Sequence, residues 1–148
     1  RRASGDRRLA RGAGSRAVTW LLDTNVCVAF LNGSDAAVRD RLLALAPSDV
    51  CLCGVVKAEL LYGARKSARV NENLARLAQL FGAMESLPFD DLAAEHYGVL
   101  RTQLESLGTP IGANDMMIAA ICLSAGAVLV TRNQGEFRRV TGLAVDVW

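Results

Sequence analysis

Val18-Thr19-Trp20-Leu21-Leu22-Asp23-Thr24-Asn25 sets the reading of this chain. A short run with β-branched and aromatic side chains ends on a carboxylate. Polar residues that suit a helix start follow at once. The spacing predicts a strand over 18–22 and a short helix from Thr24 to Leu31. The same strand-then-helix alternation recurs downstream. Asp35 to Leu45 carries Val38, Leu42 and Leu45 at helical spacing and stops before Pro47. Val50 to Cys53 reads as a second strand, with helices near Val55–Arg65 and Asn71–Phe81. Glu85 to Phe89 is a short strand that Pro88 confines to an edge. Asp90 or Asp91 caps a long helix running to Leu107, closed by Gly108 with Pro110 beyond. Ala113 to Ala125 is a helix that is apolar on nearly every side after Asp115, and therefore buried. Ala127 to Thr131 is the clearest strand. A short helix near Gln134–Arg139 and a last strand near Val145–Val147 end the chain. Strands separated by helices imply a parallel α/β sheet with right-handed crossovers.

In such a sheet, ligand sites form outside the carboxyl ends of the strands. Four acids fall there: Asp23 after the first strand, Glu59 after the second, Asp115 at the mouth of the buried helix, and Glu136 after Val128-Leu129-Val130. Gathered at one edge, they would repel each other and call for protons or a cation. Hard divalent ions such as Mg²⁺ prefer oxygen donors of this kind. Each acid also has an ordinary explanation. Asp23 and Asp115 could cap the helices beside them, and Glu136 could pair with Arg139 on an exposed face. Glu59 fits this less well. It shares a helix face with Val55, Val56 and Gly63, which predicts a buried carboxylate that neither Lys57 nor Lys66 can reach.

Composition narrows the alternatives. The 148 residues fit one domain, half of them hydrophobic. No apolar run approaches the roughly 20 residues of a membrane span, and none follows the Arg-rich start as a secretion signal would require. Cys27, Cys51, Cys53 and Cys122 lack metal-binding spacing, and their apolar surroundings suggest buried thiols in a reducing cytoplasm. His96, the single histidine, lies mid-helix beside Tyr97, so no serine–histidine or cysteine–histidine pair competes for catalysis. Gly12-Ala13-Gly14 has no strand before it and forms no phosphate loop.

The net charge of +2 conceals an asymmetry. Residues 1–17 hold six arginines against Asp6, or +5, which leaves 11 basic and 14 acidic residues, or −3, for residues 18–148. The first 17 residues read as a disordered basic tail, either upstream sequence from a misassigned start or an expression remnant. The body is mildly acidic, so bulk charge does not argue for nucleic-acid binding. Arg65, Lys66 and Arg69 follow Glu59, however, and Arg132, Arg138 and Arg139 bracket Glu136. A basic rim around an acidic hole would suit a metal site that holds a polyanion.

Leu22-Asp23-Thr24-Asn25, then Val56-Lys57-Ala58-Glu59-Leu60-Leu61-Tyr62-Gly63, then Ile111-Gly112-Ala113-Asn114-Asp115-Met116-Met117-Ile118-Ala119-Ala120 occur in order. Leu129-Val130-Thr131-Arg132-Asn133 and Glu136-Phe137 complete the set. It resembles the PIN-domain ribonucleases, specifically the VapC-type toxins of bacterial toxin–antitoxin pairs, across residues 18–148. The resemblance implies a PIN-like fold with a five-stranded parallel sheet sandwiched between helices. It also implies a Mg²⁺-dependent endoribonuclease, with Mn²⁺ able to substitute. By position, Asp23, Glu59 and Asp115 match the family's metal-binding acids. Glu136 matches a fourth, more variable position, with a side chain long enough to act through a water. Asn25 and Thr131 match supporting polar positions, and Arg65, Lys66 and Arg132 are candidates for RNA contact. Family members commonly form homodimers and are inhibited by a VapB-type antitoxin whose C-terminal segment crosses the active site. Structured RNA such as tRNA is the expected substrate, cut to 5′-phosphate and 3′-hydroxyl ends.

Three other readings compete. A PIN-domain nuclease could process RNA without any toxin role. A Mg²⁺-dependent phosphotransfer or receiver-like domain also gathers acids at strand ends, but usually wants a late lysine, and none follows Lys66. A non-catalytic interaction module would not need an intact acid set.

Overall fold

A computed structural model describes residues 18–148; the tail assigned to residues 1–17 lies outside them. Strands β1 (Trp20–Leu22), β2 (Val50–Cys53), β3 (Glu85–Leu87), β4 (Val128–Val130) and β5 (Val145–Asp146) form one sheet, in the order β3-β2-β1-β4-β5. All four pairings are parallel. The central strand is thus the first in the chain. The sequence builds outward to β3 on one side, then crosses back to add β4 and β5 on the other. That reversal between β1 and β4 is the switch point at which open α/β sheets bind ligands.

The helices are α1 (Thr24–Asn32), α2 (Ala36–Ala44), α3 (Gly54–Lys66), α4 (Val70–Ala83), α5 (Asp91–Ser106), α6 (Ala113–Ala125) and the single turn α7 (Gln134–Phe137). All four residues of β2 are buried, as expected of a parallel strand covered on both faces. β3 is the exposed edge, and it ends at Leu87 because Pro88 donates no hydrogen bond. The core centres on Leu21, Leu22, Leu52, Ile118, Ile121, Leu129 and Phe137, each at most 1% exposed. Helix α6 buries Met116 and the whole run Ile118–Cys122. Gly33 closes α1 and Gly126 closes α6 in the left-handed conformation that glycine adopts without steric cost. All four cysteines are buried and unpaired. Burial pushes the Cys27 and Cys51 thiols up to about 12. Among the described residues no helix is long and apolar enough to cross a membrane.

Candidate active site

The acids are positioned by strand ends and by hydrogen bonds from neutral neighbours. Asp23 leaves β1 directly, its backbone N–H bonded to the Val130 carbonyl of β4 at 2.9 Å. Its carboxylate is 5% exposed, and both oxygens are engaged. Oδ1 accepts from the Thr24 N–H at 2.8 Å, and Oδ2 accepts from the fully buried Thr131 hydroxyl at 2.7 Å. The capping explanation for Asp23 therefore holds in part, but the Thr131 contact reaches across 108 residues and serves no helix.

Thr131 also accepts from the Asn133 N–H at 2.9 Å, which turns the chain after β4. The Asn133 amide then donates to Glu136 Oε2 at 3.0 Å. On the other side of Asp23, the Thr24 hydroxyl donates to Glu59 Oε2 at 3.0 Å. Asp23, Glu59 and Glu136 are thus held in one network running through Thr24, Thr131 and Asn133. Asn133 and Thr24 were visible in the motifs, but nothing in the sequence alone marked them as the groups that orient the carboxylates.

Asp115 lies in the first turn of α6, whose N-cap is Gly112; it caps nothing. Its carboxyl is raised from 3.8 to about 7. Burial is the first cause. The adjoining Glu136, which accepts a hydrogen bond from the protonated acid, is the second, and the charges of Asp23, Glu136 and Glu59 add to it. Asp115 thus lies within electrostatic reach of Glu136, Asp23 and Glu59. Ionised together, Asp115 and Glu136 have no donor between them, so the cluster favours a proton or a cation.

The donors that converge are all oxygens, which suits a hard divalent ion. Among the described residues no three His, Cys, Asp or Glu side chains are drawn together closely enough to enclose an ion directly. Mg²⁺ sheds water reluctantly and is commonly held through one or two carboxylates plus waters, so this wider spacing fits it.

Several expectations need correction. Glu59 is half-buried rather than buried, because its helix face opens onto a cleft instead of the core, and the Thr24 hydroxyl donates to it. Glu136 bonds Asn133, while Arg139 donates to the Pro110 carbonyl. Asn25 is exposed and makes no side-chain hydrogen bond with the described residues. Arg132 is ion-paired to Asp35, the N-cap of α2, so it straps the loop after β4 to that helix instead of standing free for RNA. Arg65 and Lys66 are exposed in the last turn of α3. They lie six and seven residues beyond Glu59, about 9–10 Å further along the axis and away from the carboxyl edge. Lys66 covers the Tyr62 ring at 5.0 Å.

Comparison with known proteins agrees with this geometry. The PIN domain family profile matches residues 20–143. The chain is 38% identical over 129 residues to the tRNA(fMet)-specific endonuclease VapC of Shigella flexneri, covering 87% of this chain and 97% of that protein. It is 35% identical over 130 residues to Ribonuclease VapC2 of Rickettsia felis, with the same coverage of each chain. Among solved structures, VapBC2 from Rickettsia felis bound to a DNA fragment from their promoter aligns with a TM-score of 0.83 at 34% identity, covering 88% of this chain and 99% of that one.

Proposed function

This chain belongs to the PIN-domain family, and we propose that it is a Mg²⁺- or Mn²⁺-dependent endoribonuclease acting as the toxin of a toxin–antitoxin pair. The observation that carries the reading is the hydrogen-bonded network at the switch point of the sheet, in which Thr24, Thr131 and Asn133 hold Glu59, Asp23 and Glu136, with the raised Asp115 carboxyl beside Glu136. Relatives named as ribonucleases and as a tRNA(fMet)-specific endonuclease support RNA, with tRNA foremost, as the substrate. The structures it resembles are VapBC complexes, and this supports a VapB-type antitoxin as its partner.

A divalent ion at these carboxylates would supply Lewis-acid stabilisation of the phosphodiester and lower the pKa of the attacking water. Asp23, Glu59 and Asp115 are the acids suited to hold it. Thr131 and the Thr24 N–H keep Asp23 in one orientation, so its oxygens need no rearrangement during the reaction. Glu136, held by Asn133 beside Asp115, is placed to take a proton from a water and to act through that water. In the step itself a water oxygen bonds to phosphorus as the P–O3′ bond breaks. The attacking water gives its proton to Glu136, the 3′ oxygen leaves as a hydroxyl by taking up a proton from solvent, and the 5′ end keeps the phosphate.

The test is to incubate the purified chain with total bacterial RNA in Mn²⁺, Mg²⁺ or excess chelator, and to map the cut ends. Metal-dependent cleavage to 5′-phosphate and 3′-hydroxyl is expected. Cleavage that survives chelator, or cyclic phosphate ends, would overturn the reading. The toxin role requires that expression arrest growth and that the antitoxin encoded beside the gene relieve it. Growth unaffected by active, soluble protein would instead favour RNA processing. The reading places the protein in the cytoplasm, with its RNA and its antitoxin.

A further inference from the structure

A cleft of about 270 Å³ opens directly beside Glu59, between α1, α3 and α4. The Thr24–Glu59 hydrogen bond forms the wall it shares with the acid cluster. Its aliphatic lining comes from Val28, Leu31, Leu60 and Leu77, and Asn73 and Arg76 join Thr24, Asn32 and Glu59 in its polar lining. The Asn73 amide nitrogen donates to Ser67 Oγ at 2.9 Å, which fixes the side chain and leaves its carbonyl oxygen as an acceptor. Arg76 makes no ion pair with any described residue. It is the one cation lining the cleft.

These surroundings suit a flat group with apolar faces and a polar edge. At about 270 Å³ the cleft is large enough for one ring system. We propose that this cleft is a nucleobase subsite, holding one unpaired base next to the scissile phosphate between the aliphatic walls, with Arg76 and Asn73 at its edge. The inference rests on the ribonuclease reading and deepens it. Flipped or single-stranded bases are held in this way, between apolar side chains with hydrogen bonds to the exposed edge. Arg76 also meets a need that the acid cluster creates. A polyanion approaching four carboxylates needs a nearby positive group, and Arg65, Lys66 and Arg132 are displaced or paired.

Gly63 offers a clean way to close the cleft. It lines the cleft from the last turn of α3, and a Cβ built there meets nothing within 4 Å. A larger side chain would therefore fill the space without straining the helix, which generally prefers other residues to glycine. The experiment cuts a random-sequence single-stranded RNA pool with the full chain, Gly63→Leu and Arg76→Gln in Mn²⁺, and sequences the ends. Melting temperatures are read alongside. Wild type is expected to favour one base at a fixed position beside the cut. Gly63→Leu should lose that preference and about tenfold or more in cleavage, the size of one base contact, without a change in the Mn²⁺ needed for half activity. Arg76→Gln should raise KM more than it lowers kcat, and it decides the matter if Gly63→Leu fails to fold.

Wild-type rate and preference in both folded variants would overturn the subsite while leaving the ribonuclease reading intact. A wild-type protein that cuts without base preference would do the same. If the variants cut normally but escape inhibition by the antitoxin, the cleft belongs to the protein partner and the base reading is wrong. A wild-type protein that cuts neither this pool nor total bacterial RNA would sink the ribonuclease reading and the subsite with it.

Discussion

Asp115→Asn should make the metal-free protein more stable at pH 8 while destroying its activity. The substitution keeps the side chain's size and removes a charge that burial, Glu136, Asp23 and Glu59 all oppose. The folded-state carboxyl, at about 7, lies above its ordinary value of 3.8, so folding favours the protonated form. The sign follows by linkage: the penalty is absent well below pH 3.8, grows as pH rises, and is complete above about 7. Each tenfold change in proton affinity is about 1.4 kcal/mol, so the full rise would amount to roughly 4 kcal/mol. Asp115 is only half-buried, and solvent screening reduces this to about 1–2 kcal/mol. For a domain of this size that corresponds to roughly 3–10 °C in melting temperature. Melting curves in excess chelator, from pH 5 to pH 8, test it. Wild type should lose stability across that range, and the gap to Asp115→Asn should close toward the acidic end. Added Mg²⁺ should raise wild type and leave the variant unchanged. A variant that melts below wild type at pH 8 without metal, or a wild-type curve flat in pH, would refute the mutual repulsion on which the site assignment rests.

Asp23→Asn should lower cleavage by about a hundredfold or more while the protein stays folded, because an amide oxygen still accepts the Thr24 N–H. Wild-type rates at saturating Mg²⁺ would remove Asp23 from the mechanism. Glu136→Gln should be milder, raising the metal concentration needed for half activity, since Asn133 can still bond the amide oxygen. Loss as deep as in Asp23→Asn would show that Glu136 binds the ion directly. The four buried thiols should resist a disulfide-exchange reagent at pH 8 and all react once the protein is unfolded in denaturant, because burial holds them as thiols. Rapid labelling in the native state would mean that the core opens locally.

Local signals carried most of the element assignments. β2 falls on Val50–Cys53 and α6 on Ala113–Ala125, where uninterrupted apolar runs meet glycine or a polar start. Asp90 was legible as a cap, and its side chain accepts from the Ala93 N–H. Strand order was not legible, because a two- or three-residue parallel strand carries no mark of its neighbours. The carboxylates could be found because they follow strand ends, where topology alone brings them together. What orients them could not: Thr131 reaches Asp23 across 108 residues, and Arg132 reaches Asp35 across 97. Glu59 was misjudged for a related reason. Helical periodicity shows that a face is inward, but not whether it meets packed side chains or a cleft.

Because the central strand is made well before its partner β4, the acidic pocket cannot close until the chain between them has been translated. Asp23 cannot bond Val130, nor receive the Thr131 hydroxyl, until the chain through Thr131 has been made and has left the ribosome. At about 5–20 residues per second, the intervening 108 residues take roughly 5–20 s to synthesise. Through that interval the nascent chain carries Asp23 without the residues that hold it in place.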